Sequence, residues 1–247
     1  MIINSFNLVH ICVLLLQVVL MFVVYFIFRN KSRNAKRYFV MGVSVFNMLF
    51  FIVYKYWLYA DPEFDFHFFE ELPLQLCNIN IILLFIAALK DYKPLYGFVF
   101  FVASVGALFA LIVPEKEFLG MSIFATRNIG FYGTHGIILV MSISVMTLGL
   151  YEPTIKSLPK IFLLIFIISF SVYLINVLFR VTGLSPESNY FYTHGLDNPI
   201  LGLFRKWIPI DYLYLMPCMV ILGGWCFFWI GMYNLFTKVL FKKKEIN

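Results

Sequence analysis

Apolar runs of about twenty residues recur along the whole chain, separated by short polar segments. A run of this length crosses the hydrocarbon core of a bilayer as an α-helix, in which every backbone polar group is paired within the segment. The sequence therefore predicts an all-α, polytopic membrane protein of about seven transmembrane helices. The predicted helices cover residues 6–28, 38–59, 73–90, 94–113, 131–150, 160–182 and 211–238.

The composition argues against a separate soluble module. Of the 247 residues only 13% are charged and 62% are hydrophobic, with a mean hydropathy of +0.89. Soluble domains usually carry about 25% charged residues. We therefore expect residues 1–247 to form a single integral membrane domain.

The basic residues lie mainly in short segments beside the predicted helices, which sets an orientation. A basic cluster, residues 29–37, follows the first apolar run, and no basic residue precedes that run. This is the pattern of a membrane anchor rather than of a cleaved signal peptide. Because lysine and arginine favour the cytoplasmic side, we expect the N-terminus outside, the C-terminus in the cytoplasm, and a multi-pass protein of the cell (plasma) membrane. The net charge of +6 forms no basic stripe with exposed aromatic residues, so no nucleic-acid partner is expected.

The cysteines and acidic residues predict neither a disulfide framework nor a metal site. All four cysteines lie within apolar segments: Cys12, Cys77, Cys218 and Cys226. The set Asp65, His67, Glu70 and Glu71 matches no metal-ligand spacing. We expect no metal and no cofactor, and the sequence does not fix the oligomeric state.

Two predicted helices begin with clusters of polar side chains. The third begins with Leu72-Pro73-Leu74-Gln75-Leu76-Cys77-Asn78-Ile79-Asn80, and the fifth follows Thr126-Arg127-Asn128 and contains Gly133-Thr134-His135-Gly136. Polar side chains in hydrocarbon cost free energy unless they find partners. Cys77 and His135 each lie about 6 Å from the outer ends of their predicted helices. We therefore expect the two side chains to share a polar pocket.

Within that pocket Cys77 is the candidate nucleophile and His135 the candidate base, because a thiol is activated by a neighbouring base. Asn176 of the sixth predicted helix lies at about the same depth, roughly 9 Å from its outer end. The candidate substrate-binding residues are Arg127, Asn78, Asn128, Asn176, Asn189 and His194. The alternatives are structural: membrane cysteines are often small apolar residues, asparagines hold helices together, and Arg127 suits a lipid phosphate at the interface. Thr-His-Gly occurs at residues 134–136 and again at 193–195, so either His135 or His194 can be the base.

The order of several short elements resembles that of a known family. These elements are Leu72-Pro73-Leu74-Gln75-Leu76-Cys77, the stretch from Gly106-Ala107-Leu108 to Pro114, His135-Gly136, Asn176 and Asn189-Tyr190-Phe191-Tyr192. Over about residues 38–235 the chain resembles the YwaF-like bacterial integral membrane proteins, which are related to the eukaryotic transmembrane protein 164 acyltransferase. The resemblance implies about seven helices. It also implies, from the eukaryotic relatives, coenzyme-A-independent acyl transfer between phospholipids, with Cys77 as nucleophile and His135 as base.

The leading hypothesis is a membrane thiol acyltransferase or transacylase that acts on phospholipid acyl chains in the outer leaflet. The alternative is a transporter or binding protein for a lipid or small solute that uses the same polar pocket. The inner halves of the third, fifth and sixth predicted helices offer only serine and threonine as polar residues, which weighs against transport. A purely structural membrane subunit is a further alternative. Residues 183–210 are either a loop or a re-entrant lid over the site.

Overall fold

The computed structural model describes residues 1–62, 64–195 and 199–244, and this part of the chain is all-α, as predicted. The helices are α1 Leu8–Phe28, α2 Arg33–Ala60, α3 Leu76–Lys90, α4 Lys93–Phe98, α5 Ser104–Ile112, α6 Thr126–Thr147, α7 Leu158–Thr182, α8 Pro199–Trp207 and α9 Met216–Lys244. A π-helical turn, Val99–Ala103, joins α4 directly to α5.

Six helical stretches are long and apolar enough to cross a bilayer. They are Leu8–Phe28, Arg33–Ala60, Lys93–Ile112, Thr126–Thr147, Ile155–Thr182 and Leu213–Thr237. The prediction of a polytopic helical membrane protein is confirmed. The predicted third helix is the exception, since α3 is apolar but has only 15 residues.

The short third helix leaves part of its predicted span non-helical. α3 begins at Leu76 rather than at Pro73, which lies before the helix and not in its first turn. At 1.5 Å per residue α3 is roughly 22 Å long, whereas the hydrocarbon core is about 30 Å thick. Non-helical backbone at membrane depth is tolerated where it is buried in protein or lines a cavity. The residues before α3 are therefore expected either to be buried in protein or to line a cavity.

Contacts with the segment that follows α7 hold the residues before α3 out of the helix. The Leu72 N–H donates to the Tyr190 hydroxyl at 3.1 Å. The Gln75 side-chain oxygen accepts a hydrogen bond of 3.0 Å from the Phe191 N–H. These partners are more than a hundred residues away in the chain, so local sequence patterns do not reveal them.

The helix α6 lies inside the bundle, and its glycines let neighbouring helices approach closely. A Cβ atom on Gly133 would lie 2.8 Å from the Phe50 ring of α2, and one on Gly136 would lie 2.7 Å from the Gln17 side-chain oxygen of α1. Small residues commonly allow such approach in membrane bundles. The glycines flanking His135 thus pack α6 against two other helices.

Two groups of contacts mark opposite ends of the bundle. At one end Arg33 donates to Asp91 at 2.7 Å and also to the Gly149 carbonyl. At the other end, where α1, α3, α6 and α9 begin, the buried Ile3 pairs through its backbone with Met121. The orientation of these ends relative to the cell interior stays a prediction.

Candidate functional site

A cavity of about 610 Å³ lies at the end of the bundle where α3 and α6 begin. Its walls come from α2, α3, α5, α6 and α8, from the segments before α3 and α6, and from the segment after α7. The lining includes Phe51, Tyr54, Lys55, Glu71, Gln75, Cys77, Asn78, Gly106, Phe109, Glu115, Glu117, Arg127, His135, Phe191 and Tyr192. The structure therefore brings four of the predicted site residues, Cys77, Asn78, Arg127 and His135, to one cavity.

Cys77 is the second residue of α3 and lies partly buried in the cavity wall. The first backbone N–H groups of a helix have no acceptor within it, and the side chain of the preceding Gln75 does not cap them. These N–H groups and the helix dipole favour negative charge beside the thiol. The predicted depth of Cys77, about 6 Å inside a helix, is therefore wrong, because α3 begins only at Leu76.

His135 of α6 also lines the cavity, and a hydrogen bond to the backbone of its own helix orients its ring. Its Nδ1 is 2.8 Å from the Phe131 carbonyl oxygen, so this nitrogen carries the proton and donates it. The neutral ring then has its lone pair on Nε2, for which the described residues offer no hydrogen-bond partner. A histidine in this tautomer is suited to accept a proton at Nε2.

The depth predicted for His135 is also wrong, because α6 begins at Thr126 rather than at residue 131. His135 thus lies roughly 13 Å from the start of its helix. Cys77 and His135 nevertheless line the same cavity, together with Asn78 from the first turn of α3 and Phe131 from the second turn of α6.

The basic side chains of the cavity are paired with acids. Lys55 of α2 forms an ion pair with Glu71, and Arg127 forms one of 2.6 Å with Glu117. The Arg127 guanidinium also lies 5.4 Å from the centre of the Phe118 ring. Burial raises the pKa of Glu117, and the charge of Arg127 acts in the opposite direction. The cavity wall is therefore polar around these two ion pairs, whereas much of the remaining wall is aromatic or aliphatic.

The segment after α7 contributes two aromatic residues to the cavity. Phe191 and Tyr192 both have left-handed backbone conformations, with φ of 57° and 55°, and both line the cavity. The Tyr192 hydroxyl donates to Glu115 at 2.7 Å, and burial together with this carboxylate raises the pKa of Tyr192. Part of residues 183–210, for which the sequence left open a loop or a re-entrant lid, thus lies against the cavity; residues 196–198 fall outside the described residues.

Asn176 is fully buried and faces this segment rather than the cavity. Its amide nitrogen donates to the Tyr190 carbonyl and to the Thr193 hydroxyl, each at 2.8 Å. Its oxygen accepts from the Ser188 hydroxyl and from the Tyr190 N–H. Asn176 therefore fixes the conformation of the segment, and we leave it out of the proposed substrate-binding residues.

Asn189 and His194 belong to the same structural network. Asn189 accepts a hydrogen bond from the His194 N–H at 2.9 Å, and His194 Nδ1 lies 2.9 Å from an Asp211 carboxylate oxygen. Burial raises the pKa of Asp211, but His194 and Arg205 outweigh it, so the pKa lies below its ordinary value. Neither Asn189 nor His194 lines the cavity, whereas His135 lines it together with Cys77.

Asn128 lies in the first turn of α6 but points away from the cavity. It is fully buried, and its amide donates to the Ser122 carbonyl at 3.0 Å. Ser122 forms the β-bridge with Ile2. Asn128 thus stabilises the loop that holds the N-terminus, and it is not placed to bind a ligand in the cavity.

One comparison with known proteins identifies the family. A profile of the TMEM164 family matches residues 5–241. The chain belongs to the TMEM164 family. No curated protein and no solved structure gives a significant match. The TMEM164 match spans every residue that lines the cavity.

Several cavity residues of this TMEM164 family member are absent from the site predicted from the sequence. Lys55 lies inside the predicted helix 38–59, and a charged residue within a membrane helix is itself a signal for a functional site. Glu115 and Glu117 carried no such signal, because their segment lies between helices. Only the tertiary structure brings it onto the cavity.

The part of the chain that the structure describes contains no group of three or more histidine, cysteine or acidic side chains that suits a metal ion. The sequence cluster at residues 65–71 yields one histidine–acid pair, His67 with Asp65 at 3.2 Å. Its Glu71 is paired with Lys55 instead.

Proposed function

We propose that this member of the TMEM164 family is a membrane thiol acyltransferase that transfers an acyl chain between phospholipids through Cys77 and His135. The observation that carries the proposal is that both side chains line one cavity, with Cys77 in the first turn of α3 and His135 in a tautomer suited to act as a base. Membership of the YwaF-like bacterial branch, location in the plasma membrane and opening of the cavity to the outer leaflet belong to the same proposal.

In the first step His135 Nε2 takes the proton of Cys77, and the sulfur attacks an ester carbonyl carbon of a phospholipid. The bond between that carbon and the glycerol oxygen breaks. The departing oxygen takes the proton from His135, so a lysophospholipid leaves and a thioester stays on Cys77. Backbone N–H groups at the start of α3 and the Asn78 amide stabilise the negative charge on the carbonyl oxygen during the attack.

In the second step the hydroxyl group of another lysophospholipid attacks the thioester carbonyl carbon. His135 takes the hydroxyl proton and returns it to the Cys77 sulfur as the carbon–sulfur bond breaks. A new phospholipid ester forms and the enzyme returns to its starting state. The apolar cavity wall limits access of water and so favours transfer to a lipid over hydrolysis.

Arg127 is the candidate for binding the lipid phosphate. Its side chain is one-third exposed and lines the cavity, and arginine binds phosphate through several hydrogen bonds. A phosphate at this position replaces Glu117 as the partner of Arg127. Because burial raises the pKa of Glu117, protonation of the displaced carboxyl limits the cost of separating the pair.

The test is the intact mass of the purified protein with and without hydroxylamine, followed by peptide mapping and acyl-transfer assays in proteoliposomes. We expect a hydroxylamine-labile acyl group on Cys77. Cys77→Ser and His135→Gln should each reduce transfer by about 100-fold or more. Cys218→Ser is the matched control, since Cys218 is also partly buried but does not line the cavity. Full transfer activity in Cys77→Ser would refute the proposal.

The structure offers little support for the alternative of alternating-access transport. The helix that supplies Gly106 and Phe109 to the cavity passes, toward the other end of the bundle, through Phe98, Phe100 and Phe101, which are fully buried. A transport path needs polar or water-filled surface along the whole crossing. The tightly packed aromatic side chains favour a site that works from one side of the membrane.

A further inference from the structure

A second recess lies on the flank of the bundle between α2 and α3. It has a volume of about 320 Å³, and its deeper lining is formed by Met48, Ile52, Ile81 and Ile82. Ile52 is 62% exposed and Ile82 is 39% exposed. The recess is thus an almost wholly apolar feature of a surface that faces lipid in the membrane.

The recess shares a wall with the cavity that contains Cys77 and His135. Five residues line both spaces: Phe51, Lys55, Glu71, Leu72 and Asn78. The polar members of this shared wall are the Lys55–Glu71 ion pair and Asn78, the residue directly after Cys77. A ligand that occupied both spaces would extend from polar surroundings beside the thiol into apolar surroundings.

A polar space beside an apolar one suits an ester that carries a hydrocarbon tail. The ester group needs hydrogen-bond donors near Cys77, whereas the tail needs none. From Lys55 to Met48 the recess extends roughly 10 Å along α2. A head group does not suit this space, since the deeper recess presents no polar side chain.

We propose that the recess binds the acyl chain that is transferred and that its depth sets which chain lengths react best. The inference rests on the proposed function, because it names the binding site for the group that Cys77 is proposed to carry. The donor phospholipid enters sideways from the bilayer between α2 and α3, with its head group at Arg127 and its acyl chain in the recess.

The experiment uses N-alkyl maleimides with ethyl, octyl, dodecyl and hexadecyl chains on the full-length protein in phosphatidylcholine proteoliposomes. Peptide mass spectrometry gives the rate of alkylation at Cys77 relative to Cys12, which is exposed on α1 and reports partition of each reagent into the bilayer. We expect the Cys77 to Cys12 ratio to rise with chain length and then level off. Such a rise reflects positioning of the reactive group beside the thiol by the bound chain.

Ile82→Trp fills the recess and should lower the ratio for dodecyl and hexadecyl reagents by about tenfold, while the ethyl reagent reacts as in the wild type. Ile86→Trp is the matched control, because Ile86 is similarly exposed one turn further along α3 but does not line the recess. Met48→Trp, on the opposite wall of the recess, should lower the ratio for the long-chain reagents in the same way. It provides a second test if Ile82→Trp does not fold.

A ratio that is independent of chain length, or equal losses in Ile82→Trp and Ile86→Trp, would overturn the acyl-chain site. Alkylation requires no acyl transfer. The maleimide series therefore tests the recess alone, whereas the hydroxylamine-labile adduct tests the catalytic role of Cys77. Failure of the acyl-chain site can thus be distinguished from failure of the proposed function.

Discussion

The amide group of Asn176 makes four hydrogen bonds within the segment that lines the cavity. All its partners lie between residues 188 and 193, where two successive residues have strained, left-handed backbone. Such conformations persist only when surrounding contacts fix them. At the scale of single residues, the position of Phe191 and Tyr192 over the cavity therefore depends on a side chain that does not itself line it.

Asn176→Ala should leave several buried polar groups without partners and destabilise the protein by about 2–4 kcal/mol. Asn176→Asp keeps the acceptor but loses both amide donors and buries a carboxyl oxygen opposite the Tyr190 carbonyl, so it should destabilise at least as much. Thermal unfolding in detergent and limited proteolysis within residues 183–195 measure both effects. Ser171→Ala is the control, because the exposed Ser171 hydroxyl bonds only within α7. An unchanged melting temperature in Asn176→Ala would contradict the structural role.

Asp91 gives a pH-dependent prediction at the other end of the bundle. It has a left-handed backbone conformation at the end of α3, and two hydrogen bonds from Arg33, of 2.7 and 2.9 Å, hold its pKa below the ordinary value despite partial burial. Asn also tolerates this backbone conformation, so Asp91→Asn removes mainly the charge. The expected loss at neutral pH is about 0.5–1 kcal/mol, since the pair is partly exposed.

The sign of the pH effect follows from the lowered pKa. The carboxylate stabilises the native state fully at pH values above the unfolded pKa of about 4, and this contribution is lost as the pH falls through the lower native pKa. The stability difference between wild type and Asp91→Asn should therefore be largest near neutrality and vanish in acid. Melting temperatures measured as a function of pH test this, and a difference that grows in acid would contradict it.

Among the elements, the start of α3 decides the geometry of the site. The predicted bounds of most helices lie within five residues of the observed ones, because apolar length and basic flanking residues are local signals. At α3 the apolar pattern continues through Leu72 and Leu74, and a proline suits the first turn of a helix, so the prediction began at residue 73. Tyr190 and Phe191 hold these residues out of the helix, and no local pattern contains that information.

The glycines of α6 give a prediction at the scale of helix packing. Gly133→Val should force the Phe50 ring away, since a Cβ atom would already lie 2.8 Å from it. Overpacking of this kind costs about 1–3 kcal/mol, and displacement of α6 should also reduce acyl transfer by moving His135. Thermal unfolding and the transfer assay measure the two effects. Gly42→Ala, at a position on α2 with no atom within 4 Å of the added Cβ, should change neither property.

At the scale of the whole molecule, one end of the bundle contains the cavity and the other carries most of the basic residues. The orientation predicted from the lysines and arginines places the cavity end outside. Cysteines introduced at Phe124 and Ile155 report the two ends in a background without native cysteines, since both positions are exposed, at 66% and 60%. A membrane-impermeant maleimide applied to intact cells should label Phe124→Cys, and it should label Ile155→Cys only after permeabilisation. The reverse pattern would place the cavity on the cytoplasmic side.

The sequence by itself determined that this chain is a helical membrane protein, and it directed attention to Cys77 and His135 as polar residues within apolar spans. These conclusions depend on hydrophobic length and on the cost of burying polar groups, which are local properties. The tertiary structure alone decided that Asn78 and Arg127 join these two in one cavity, whereas Asn128, Asn176, Asn189 and His194 stabilise segments around it. A polar side chain in a membrane protein needs a hydrogen-bonding partner whether it lines a cavity or packs against another segment. Which of the two it does depends on contacts between residues that are distant in the chain.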